Sequence, residues 1–429
     1  MLERIDLRER RERLEPRRLE IAPSVSDAVH EILARVREDG DDALLELTLR
    51  YDGADLRETG PVASPDEFAV ANQAVPADIR GAIDALVERV TDLHRRQVPP
   101  EWSEERDGVR FGEVVRPLAA AGCYVPGGRA LYPSSVAMTV TPAVVAGVEE
   151  IVVCTPPAPD GSLDPTVLYT AGRAGATRVV KAGGAQAIAA MAFGTASVPR
   201  VDRIVGPGNA YVTEAKRQLA GTVGIDGLAG PTELVLVADA EADPRWIAID
   251  LVAQAEHDPD AQGTLVTTVE AVLDRVDAAL QAEVAKAARR DIVDAAIARS
   301  RAVLVADWDH AVEVVNDLAP EHLQLAISAI GPFARDVRNA GAIFVGPMTA
   351  VPFGDYGVAS NHVLPTAGTA RFASGLRSSD FVKAISVVEM DQRAAAAFAP
   401  EVATIARAEG LVGHARAVEV RAEEGRREP

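Results

Sequence analysis

A helix-like stretch of this sequence ends on an amide, a carboxylate and an imidazole, written AQAEH. Gln254 and His257 are three residues apart, so on a helix they project from nearly the same face and could hold one ligand. Asp243 and Pro244 suit the N-cap and the first turn of that helix. A polar last turn, with His257 interacting with the helix dipole, explains the pair equally well.

Two further segments combine carboxylates with imidazoles. PEHLQL places Glu321 beside His322 on a predicted loop, and an adjacent carboxylate and imidazole suit general acid–base catalysis. Taken alone, this pair is better explained as ordinary loop residues. Asp355 and His362 lie in GDYGVASNH, a glycine-rich segment too polar for a core and of the kind that often carries function.

A possible metal site follows from adding the segment AEGLVGH, which places Glu409 and His414 around a predicted helix break. The imidazoles of His257 and His414, the carboxylate of Asp355 and the amide oxygen of Gln254 would then be available to one ion. Imidazole and oxygen donors without thiolates suit zinc or a related divalent cation. Their convergence does not follow from spacing, because three distant segments supply them.

The remaining histidines and the two cysteines favour structural roles. His30 and His94 lie in charged helical stretches and are predicted to be solvated, whereas His310 follows a strand near a predicted N-cap. Cys123 and Cys154 are too few for a disulfide framework or a cysteine-based zinc site. A small cysteine at a strand end is more often a core residue than a nucleophile.

Two glycine-rich turns follow predicted strands and could approach a phosphate. Gly206 and Gly208 lie in VGPGNAY, where Tyr211 stands in place of the third glycine of G-x-G-x-x-G. Gly183 and Gly184 open a helix in AGGAQAIAA. Each turn alone is better explained as a tight βα connection, so any NAD site here departs from the usual fingerprint.

The helices and strands that must position these residues are predicted from the pattern of apolar and polar residues along the chain. The first ~110 residues are charged and mostly helical in pattern. From about residue 118, short apolar runs alternate with amphipathic stretches, as in a parallel sheet covered on both faces. After about residue 376 the strand texture stops, and two helices joined at Gly410 follow. The predicted strands lie in AAAGCYVPGG, EEIVVCTPP, ATRVVKAGG, VDRIVGPGN, TELVLVAD, GTLVTTV, RAVLVADW and GAIFVG.

Bulk composition limits the class of protein. Apolar residues make up 48% and charged residues 25% of 429, as in an ordinary soluble protein. A net charge of −20 argues against nucleic-acid partners and suits small cationic ligands. No run is long enough to span a membrane, and the first residues do not resemble a signal peptide, so a cytoplasmic location is predicted.

Several blocks, in order, resemble the histidinol dehydrogenase family, whose members catalyse the last step of histidine biosynthesis. The resemblance covers roughly residues 118 to 420, and the run from Ile225 to His257 is specific enough to name the family. The blocks are YVPGG, GGAQAIAAMAFGT, VGPGNAYVTEAKRQ, IDGLAGPTELVLVAD, QAEH, PEHLQL, GDYGVASNHVLPT and EGLVGHARAV.

This resemblance implies an enzyme that uses NAD and one zinc per subunit to oxidise L-histidinol through L-histidinal to L-histidine. The implied acid–base pair is Glu321 and His322, and the implied zinc ligands are Gln254, His257, Asp355 and His414. The implied substrate contacts are Thr232, Gln254, His257, His322, Asp355, Glu409 and His414, and the implied NAD contacts are Tyr124, Gln186 and Asn209. Thr232 departs from the serine of many members; its hydroxyl is kept, and its methyl is expected to narrow the pocket.

The expected architecture has two doubly wound, incomplete Rossmann-like parallel-sheet domains and a small helical C-terminal segment. We expect the first α/β domain to comprise residues 1–125 and 233–376, with a helical N-terminal part, and the second to comprise residues 126–232. The resemblance implies a homodimer in which the segment 377–429 reaches the partner's active site, so that Glu409 and His414 act in trans.

Two other readings of the sequence remain open. An aldehyde dehydrogenase-like mechanism would use a cysteine thiol to form a covalent thiohemiacetal, and Cys123 lies beside Tyr124. A non-catalytic module that binds an amine or a metal could keep the same scaffold. The intact Glu321–His322 pair beside the candidate metal ligands argues against the second reading.

Overall fold

Short apolar runs of the sequence form strands, and amphipathic stretches form most of the helices between them. The computed structural model describes residues 1–127, 131–328, 330–358 and 360–424. The strands in these ranges are β1 (Glu3–Asp6), β2 (Trp102–Arg106), β3 (Val109–Pro117), β4 (Ala120–Tyr124), β5 (Glu150–Thr155), β6 (Arg178–Lys181), β7 (Arg203–Val205), β8 (Gly224–Ile225), β9 (Glu233–Ala238), β10 (Gln262–Thr267), β11 (Arg301–Leu304), β12 (His322–Ala326), β13 (Ala342–Val345) and β14 (Val382–Met390).

Helices occupy most of the remaining described chain. They are α1 (Pro23–Asp39), α2 (Asp41–Asp52), α3 (Pro65–Ala74), α4 (Ala77–Arg95), α5 (Pro133–Ala146), α6 (Pro165–Ala174), α7 (Gly184–Phe193), α8 (Ala210–Leu219), α9 (Pro244–Ala255), α10 (Glu270–Val284), α11 (Arg290–Ile297), α12 (Trp308–Leu318), α13 (Ile330–Asp336), α14 (Val351–Asp355), α15 (Gln392–Ala408) and α16 (Val412–Glu424). Short 3₁₀ helices lie at Thr369–Arg371 and Ser378–Phe381. Across the described ranges, each helix is too short or too polar to cross a lipid bilayer.

The chain forms two compact units, and the first contains both parallel sheets. This unit comprises Met1–Gln97 and Leu118–Phe381, and the second comprises Val98–Pro117 and Val382–Pro429. The larger sheet has the order β1-β11-β10-β9-β12-β13 with every pair parallel. Its central strand β9, ELVLVA, is buried throughout, as expected for an apolar run covered on both faces.

The winding of the larger sheet sets the place of several predicted site residues. β10 and β11 lie on one side of β9, and β12 and β13 lie on the other, so the direction of winding reverses between β9 and β12. Helix α9 begins at Pro244, directly after its N-cap residue Asp243, and carries the chain back to the amino edge of the sheet. The last turn of α9 therefore lies at the edge where β9 and β12 start.

The smaller parallel sheet has the order β6-β5-β4-β7-β8, with its own reversal between β4 and β7. The N-terminal helices pack on this layer: α1 on α7 and α8, α3 on α6, and α4 on α5. We expected residues 1–125 to group with residues 233–376, whereas β4 and these helices pack with the sheet of residues 126–232. The division into folding domains stays a prediction.

The second unit contains an antiparallel sheet and the last two helices. Its strand order is β14-β3-β2, and α15 packs on α16. The predicted helix break is confirmed at Gly410, whose φ of +79° favours glycine. Strand β14 corrects the expectation that residues 377–429 are helical, and β2 and β3 correct the mostly helical first ~110 residues. These strands bury little of either face, so the sequence carries no clear alternation there.

The predicted fold class is confirmed: two doubly wound parallel sheets with a helical C-terminal segment. All eight predicted strands are present, as β4 to β7, β9 to β11 and β13. The prediction missed β1, β8 and β12 in the parallel sheets.

Candidate active site

A chain of hydrogen bonds joins three predicted site residues at the amino edge of the larger sheet. Gln254 Nε2 donates to Thr232 Oγ1 over 2.8 Å, and the Thr232 hydroxyl donates to Glu321 Oε2 over 2.6 Å. The same Glu321 oxygen accepts the backbone N–H of Glu233 over 3.0 Å. The fold explains this meeting, because Thr232 precedes β9, Glu321 precedes β12, and the two strands are neighbours.

His322 is buried beside this series of hydrogen bonds, and one of its ring nitrogens forms no hydrogen bond within the described residues. The expected loop is corrected, since His322 is the first residue of strand β12. Its Nδ1 lies 3.3 Å from the backbone oxygen of Glu233. Because a carbonyl oxygen only accepts, Nδ1 must carry the proton, and in the neutral ring Nε2 carries the lone pair. Among the described residues, the buried Nε2 has no hydrogen-bond partner.

Asp355 faces the free nitrogen of His322. Its Oδ1 lies 3.7 Å from His322 Nε2, an ion-pair distance that is too long for a hydrogen bond. The backbone oxygen of Asp355 accepts from His362 Nδ1 over 2.9 Å, and His362 Nε2 lies 3.2 Å from Ser135 Oγ. Ser135 is in the first turn of α5, the helix that follows β4. His362 therefore ties the cluster to the carboxyl edge of the smaller sheet.

Carboxylates dominate the electrostatics of this cluster. Burial of the ring disfavours its charge, but Glu321 and Asp355 outweigh burial and raise the pKa of His322 to about 9. Burial works against the charge of Asp355 too, yet the His322 imidazole holds the pKa of that carboxyl below its usual value. Burial and the charge of Glu321 raise the pKa of Glu233 to about 7. A cation placed beside Asp355 would lower the pKa of His322 towards neutrality.

Three of the four predicted zinc ligands lie in the first unit. The amide N–H of Gln254 is taken by Thr232, which leaves its carbonyl oxygen as the donor. His257 is exposed directly after the C-cap residue of α9, whose backbone is still helical, so the expected shared face with Gln254 stays a prediction. Its charge nevertheless helps to lower the pKa of Asp355 against the effect of burial. Amide oxygen, imidazole and carboxylate are donors that zinc accepts, so these residues fit the ion.

The full metal set is not assembled in the described residues. Among them, no group of three or more His, Cys, Asp or Glu is gathered for a metal ion. His414, the fourth predicted ligand, lies near the start of α16, and Glu409 ends α15 as its C-cap. Both are exposed in the second unit, and their roles stay predictions.

The predicted NAD contacts lie at the carboxyl edge of the smaller sheet. Tyr124 ends β4, Gln186 lies in the first turn of α7, and Asn209 caps α8. The Tyr124 hydroxyl accepts the backbone N–H of Gly184 over 3.1 Å. Tyr124 and Gln186 are buried, whereas Asn209 is exposed. β4 and β7 flank the switch point of this sheet, where doubly wound folds bind ligands.

Other histidines and the cysteines have structural surroundings. His94 is fully buried, so its predicted solvation is wrong; it continues the apolar face of α4. The predicted structural place of His310 is confirmed, since its backbone N–H is capped by Asp307. Cys123 and Cys154 are fully buried, and burial raises the pKa of the Cys123 thiol to about 12. The thiolate needed for a thiohemiacetal is therefore strongly disfavoured.

Glu233 is a site residue that the sequence did not identify. Its backbone contacts both Glu321 and His322, and its side chain accepts the N–H of Ala367 over 2.7 Å. A carboxylate at the start of the otherwise apolar run ELVLVA was the available signal.

Comparisons with known proteins agree with this geometry. The model of the histidinol dehydrogenase family matches residues 15–422. A histidinol dehydrogenase from Halalkalibacterium halodurans is 46% identical over 402 residues, covering 93% of this chain and 94% of that one. The crystal structure of a histidinol dehydrogenase from Elizabethkingia anophelis has a TM-score of 0.94 at 33% identity, covering 99% of this chain and 98% of that chain.

A more distant structure shares the fold alone. Succinate-semialdehyde dehydrogenase from Burkholderia pseudomallei has a TM-score of 0.50 at 16% identity, covering 87% of each chain. Two doubly wound sheets, together with the matches to histidinol dehydrogenases, define an NAD-dependent oxidoreductase. Within that class, the chain belongs to the histidinol dehydrogenase family.

Proposed function

We propose that this protein oxidises L-histidinol to L-histidine, the last step of histidine biosynthesis, with two molecules of NAD. Family membership supports the substrate. One structural observation supports the chemistry most strongly: Thr232, Gln254, Glu321, His322 and Asp355 are joined by hydrogen bonds and ion pairs at one sheet edge. We place the enzyme in the cytoplasm, as its sequence predicts.

In the first oxidation, His322 is the base for the alcohol proton. In the neutral ring, which a cation beside Asp355 would favour, its Nε2 carries the lone pair; this nitrogen is buried and faces the space beside Asp355. When bound, NAD would supply the acceptor for the hydride of the carbinol carbon, and the loss of two electrons would convert the alcohol into the aldehyde. Asp355 then stabilises the imidazolium that His322 forms.

In the second oxidation, the aldehyde must first take up water. Glu321 is placed to accept a proton from that water, and Thr232 and the backbone N–H of Glu233 fix one of its oxygens. The hydrated aldehyde then loses a second hydride and two protons and becomes the carboxylate. Overall, the substrate loses four electrons, one water is consumed, and two NAD are reduced to two NADH.

A zinc ion would be held by Gln254, His257 and Asp355, with His414 as the fourth ligand. When bound, it would supply positive charge that orients the amine and imidazole nitrogens of the substrate. The acidic surroundings of Asp355, Glu321 and Glu409 would suit the remaining cationic character of histidinol. We assign Tyr124, Gln186 and Asn209 to NAD.

We assign Glu409 and His414 to the active site of the partner subunit in a homodimer. The second unit exposes many large apolar side chains, which is typical of an interface. The most exposed are Val388, Ile405 and Val412. A dimer would cover them while bringing the C-terminal helices to the partner.

The direct test follows NADH absorbance with purified protein, zinc, NAD and L-histidinol. Two NADH per histidinol, with L-histidine as product, is the expected result. An amino alcohol without an imidazole serves as the control and should react far more slowly. One NADH per histidinol with free aldehyde would contradict the four-electron reaction, and no NADH would contradict the function.

A further inference from the structure

Asp52 is a half-buried carboxylate to which neither the sequence motifs nor the acid–base cluster assigns a role. It ends helix α2, and its Oδ2 accepts the backbone N–H of Gly183 over 3.1 Å and the side-chain N–H of Gln186 over 3.4 Å. In the described ranges, no Lys or Arg forms an ion pair with it. Burial raises the pKa of this carboxyl, because water is partly excluded without a compensating cation.

The groups that Asp52 holds belong to the turn that opens α7. Free backbone N–H groups at a helix start, with the helix dipole, usually attract an anion. Here the chain's own carboxylate takes the N–H of Gly183, and the Tyr124 hydroxyl takes the N–H of Gly184. The backbone N–H groups of this turn are therefore already hydrogen-bonded within the protein. A phosphate of NAD would have to displace Asp52 to bind there.

Space at the turn is limited by Asp52, Pro156 and Gln186. A Cβ added at Gly183 would lie 2.9 Å from an Asp52 oxygen, and one added at Gly184 would lie 2.8 Å from Gln186 Oε1. Gly184 has φ of +61°, a conformation that favours glycine. Asp52, the two glycines and Gln186 thus form one close-packed arrangement in which the Gln186 side chain has a defined direction.

We propose that Asp52 is a positioning residue for NAD binding, acting through Gln186 and the Gly183–Gly184 turn. The inference rests on the proposed NAD contacts at Tyr124 and Gln186. Without Asp52, the turn loses its internal anion, and Gln186 loses the acceptor that orients its amide. Binding of NAD should then weaken, while the acid–base cluster at the other sheet edge keeps its geometry.

The test asks whether substitution of Asp52 changes the KM for NAD while kcat and the KM for histidinol stay the same. Asp52→Ala should raise the KM for NAD about tenfold, the order expected for losing hydrogen bonds to a charged acceptor. Its kcat and its KM for histidinol should stay within about twofold. Asp52→Asn keeps an acceptor for the Gly183 N–H, so its KM for NAD should fall between those of wild type and Asp52→Ala. It also serves as the test variant if Asp52→Ala does not fold.

Asp41 provides a matched control at the opposite end of the same helix. Its carboxylate accepts the Ser197 hydroxyl over 2.7 Å and the Ser197 backbone N–H over 3.3 Å, just beyond the end of α7. Asp41→Ala therefore also removes two hydrogen bonds between α2 and the surroundings of α7. It should lower the melting temperature comparably and leave the KM for NAD unchanged.

The outcomes distinguish this inference from the proposed function. If Gln186→Ala raises the KM for NAD while neither Asp52 variant does, the role of Asp52 is wrong and the NAD assignment stands. If Asp41→Ala raises this KM as much as Asp52→Ala, the effect is general destabilisation, and the inference is overturned. If Gln186→Ala has no effect, the assignment of Gln186 to NAD fails, and the proposed route through Gln186 fails with it.

Discussion

At the scale of single residues, the surroundings of His322 decide which atom can act as the base. Nδ1 faces an acceptor-only carbonyl oxygen, so Nε2 is the basic nitrogen. His322→Asn should lower kcat by about 10²- to 10⁴-fold, the usual contribution of a general base. Zinc content should be unchanged, because His322 is not among the proposed ligands. Steady-state kinetics and metal analysis check both expectations.

The control for this substitution is His30→Asn, since His30 is exposed on α1. That variant should keep wild-type kinetics and zinc content. A near-normal rate in His322→Asn would contradict the assignment of the base, and loss of zinc would show that His322 supports the metal site.

Thr232 provides a second prediction, because its hydroxyl both accepts from Gln254 and donates to Glu321. Thr232→Val keeps the shape and removes both bonds, so the free energy of unfolding should fall by about 1–3 kcal/mol. The value of kcat/KM should fall with it, since Glu321 loses an anchor. Thr232→Ser keeps the hydroxyl and should stay close to wild type. Urea unfolding and kinetics measure the pair, and equal behaviour of both variants would contradict this role.

Residue identities in the site were predictable from the sequence to different degrees. The side-chain types of Glu321, His322 and Asp355 are visible in the sequence, but the contact of His322 with Asp355 is not, because distant segments supply the two residues. The roles of Glu233 were not predictable, since its backbone makes the bonds to Glu321 and His322, and backbone contacts leave no residue signature. His94 was misassigned because its charged neighbours in sequence hide an apolar face at helical spacing.

At the scale of elements, strands were predictable where they are continuous apolar runs. β9 has six buried residues in succession and was found, as were the other long runs. β12 is equally buried, but His322 and Gln324 interrupt its apolar sequence, so PEHLQL was taken for a loop. The polar residues that place β12 in the site are the same residues that prevented its prediction as a strand.

Asn361 joins the segment that carries Asp355 and His362 to helices α4 and α5, and one of its partners, His94, can be protonated. Asn361 Nδ2 donates to the backbone oxygen of Met138 over 2.8 Å and lies 3.0 Å from His94 Nε2. The contact requires neutral His94, and burial lowers the pKa of His94 to about 4. Between pH 6.5 and 4, His94 is therefore protonated in the unfolded chain and neutral in the folded chain. The free energy of unfolding consequently decreases as the pH is lowered.

The expected loss attributable to His94 is about 2 kcal/mol between pH 6.5 and 5, at roughly 1.4 kcal/mol per pH unit. His94→Gln keeps an acceptor for Asn361 and does not titrate, so its stability should decline less over the same range. Chemical unfolding at several pH values measures the difference between wild type and variant. His30→Gln, on the exposed face of α1, should decline as wild type does. Parallel curves for wild type and His94→Gln would contradict the prediction.

At the scale of the whole molecule, the proposed ligand set is divided between the two compact units. Gln254, His257 and Asp355 belong to the first unit, and His414 belongs to the second. In the proposed dimer, each active site combines the first unit of one protomer with the second unit of its partner. Two variants that are inactive for different reasons should then restore activity to one another.

His257→Ala and His414→Ala supply this pair. A mixed dimer has one site with both substitutions and one site with neither, because His414 is donated across the interface. Random assembly of equal amounts makes half of the dimers mixed, so about one quarter of wild-type activity should return on co-expression or joint refolding. The pair His257→Ala and His322→Asn, both in the first unit, should restore nothing. If the His257→Ala and His414→Ala mixture stays as inactive as its components while mixed dimers form, each chain completes its own site, and exchange of the C-terminal segment is wrong.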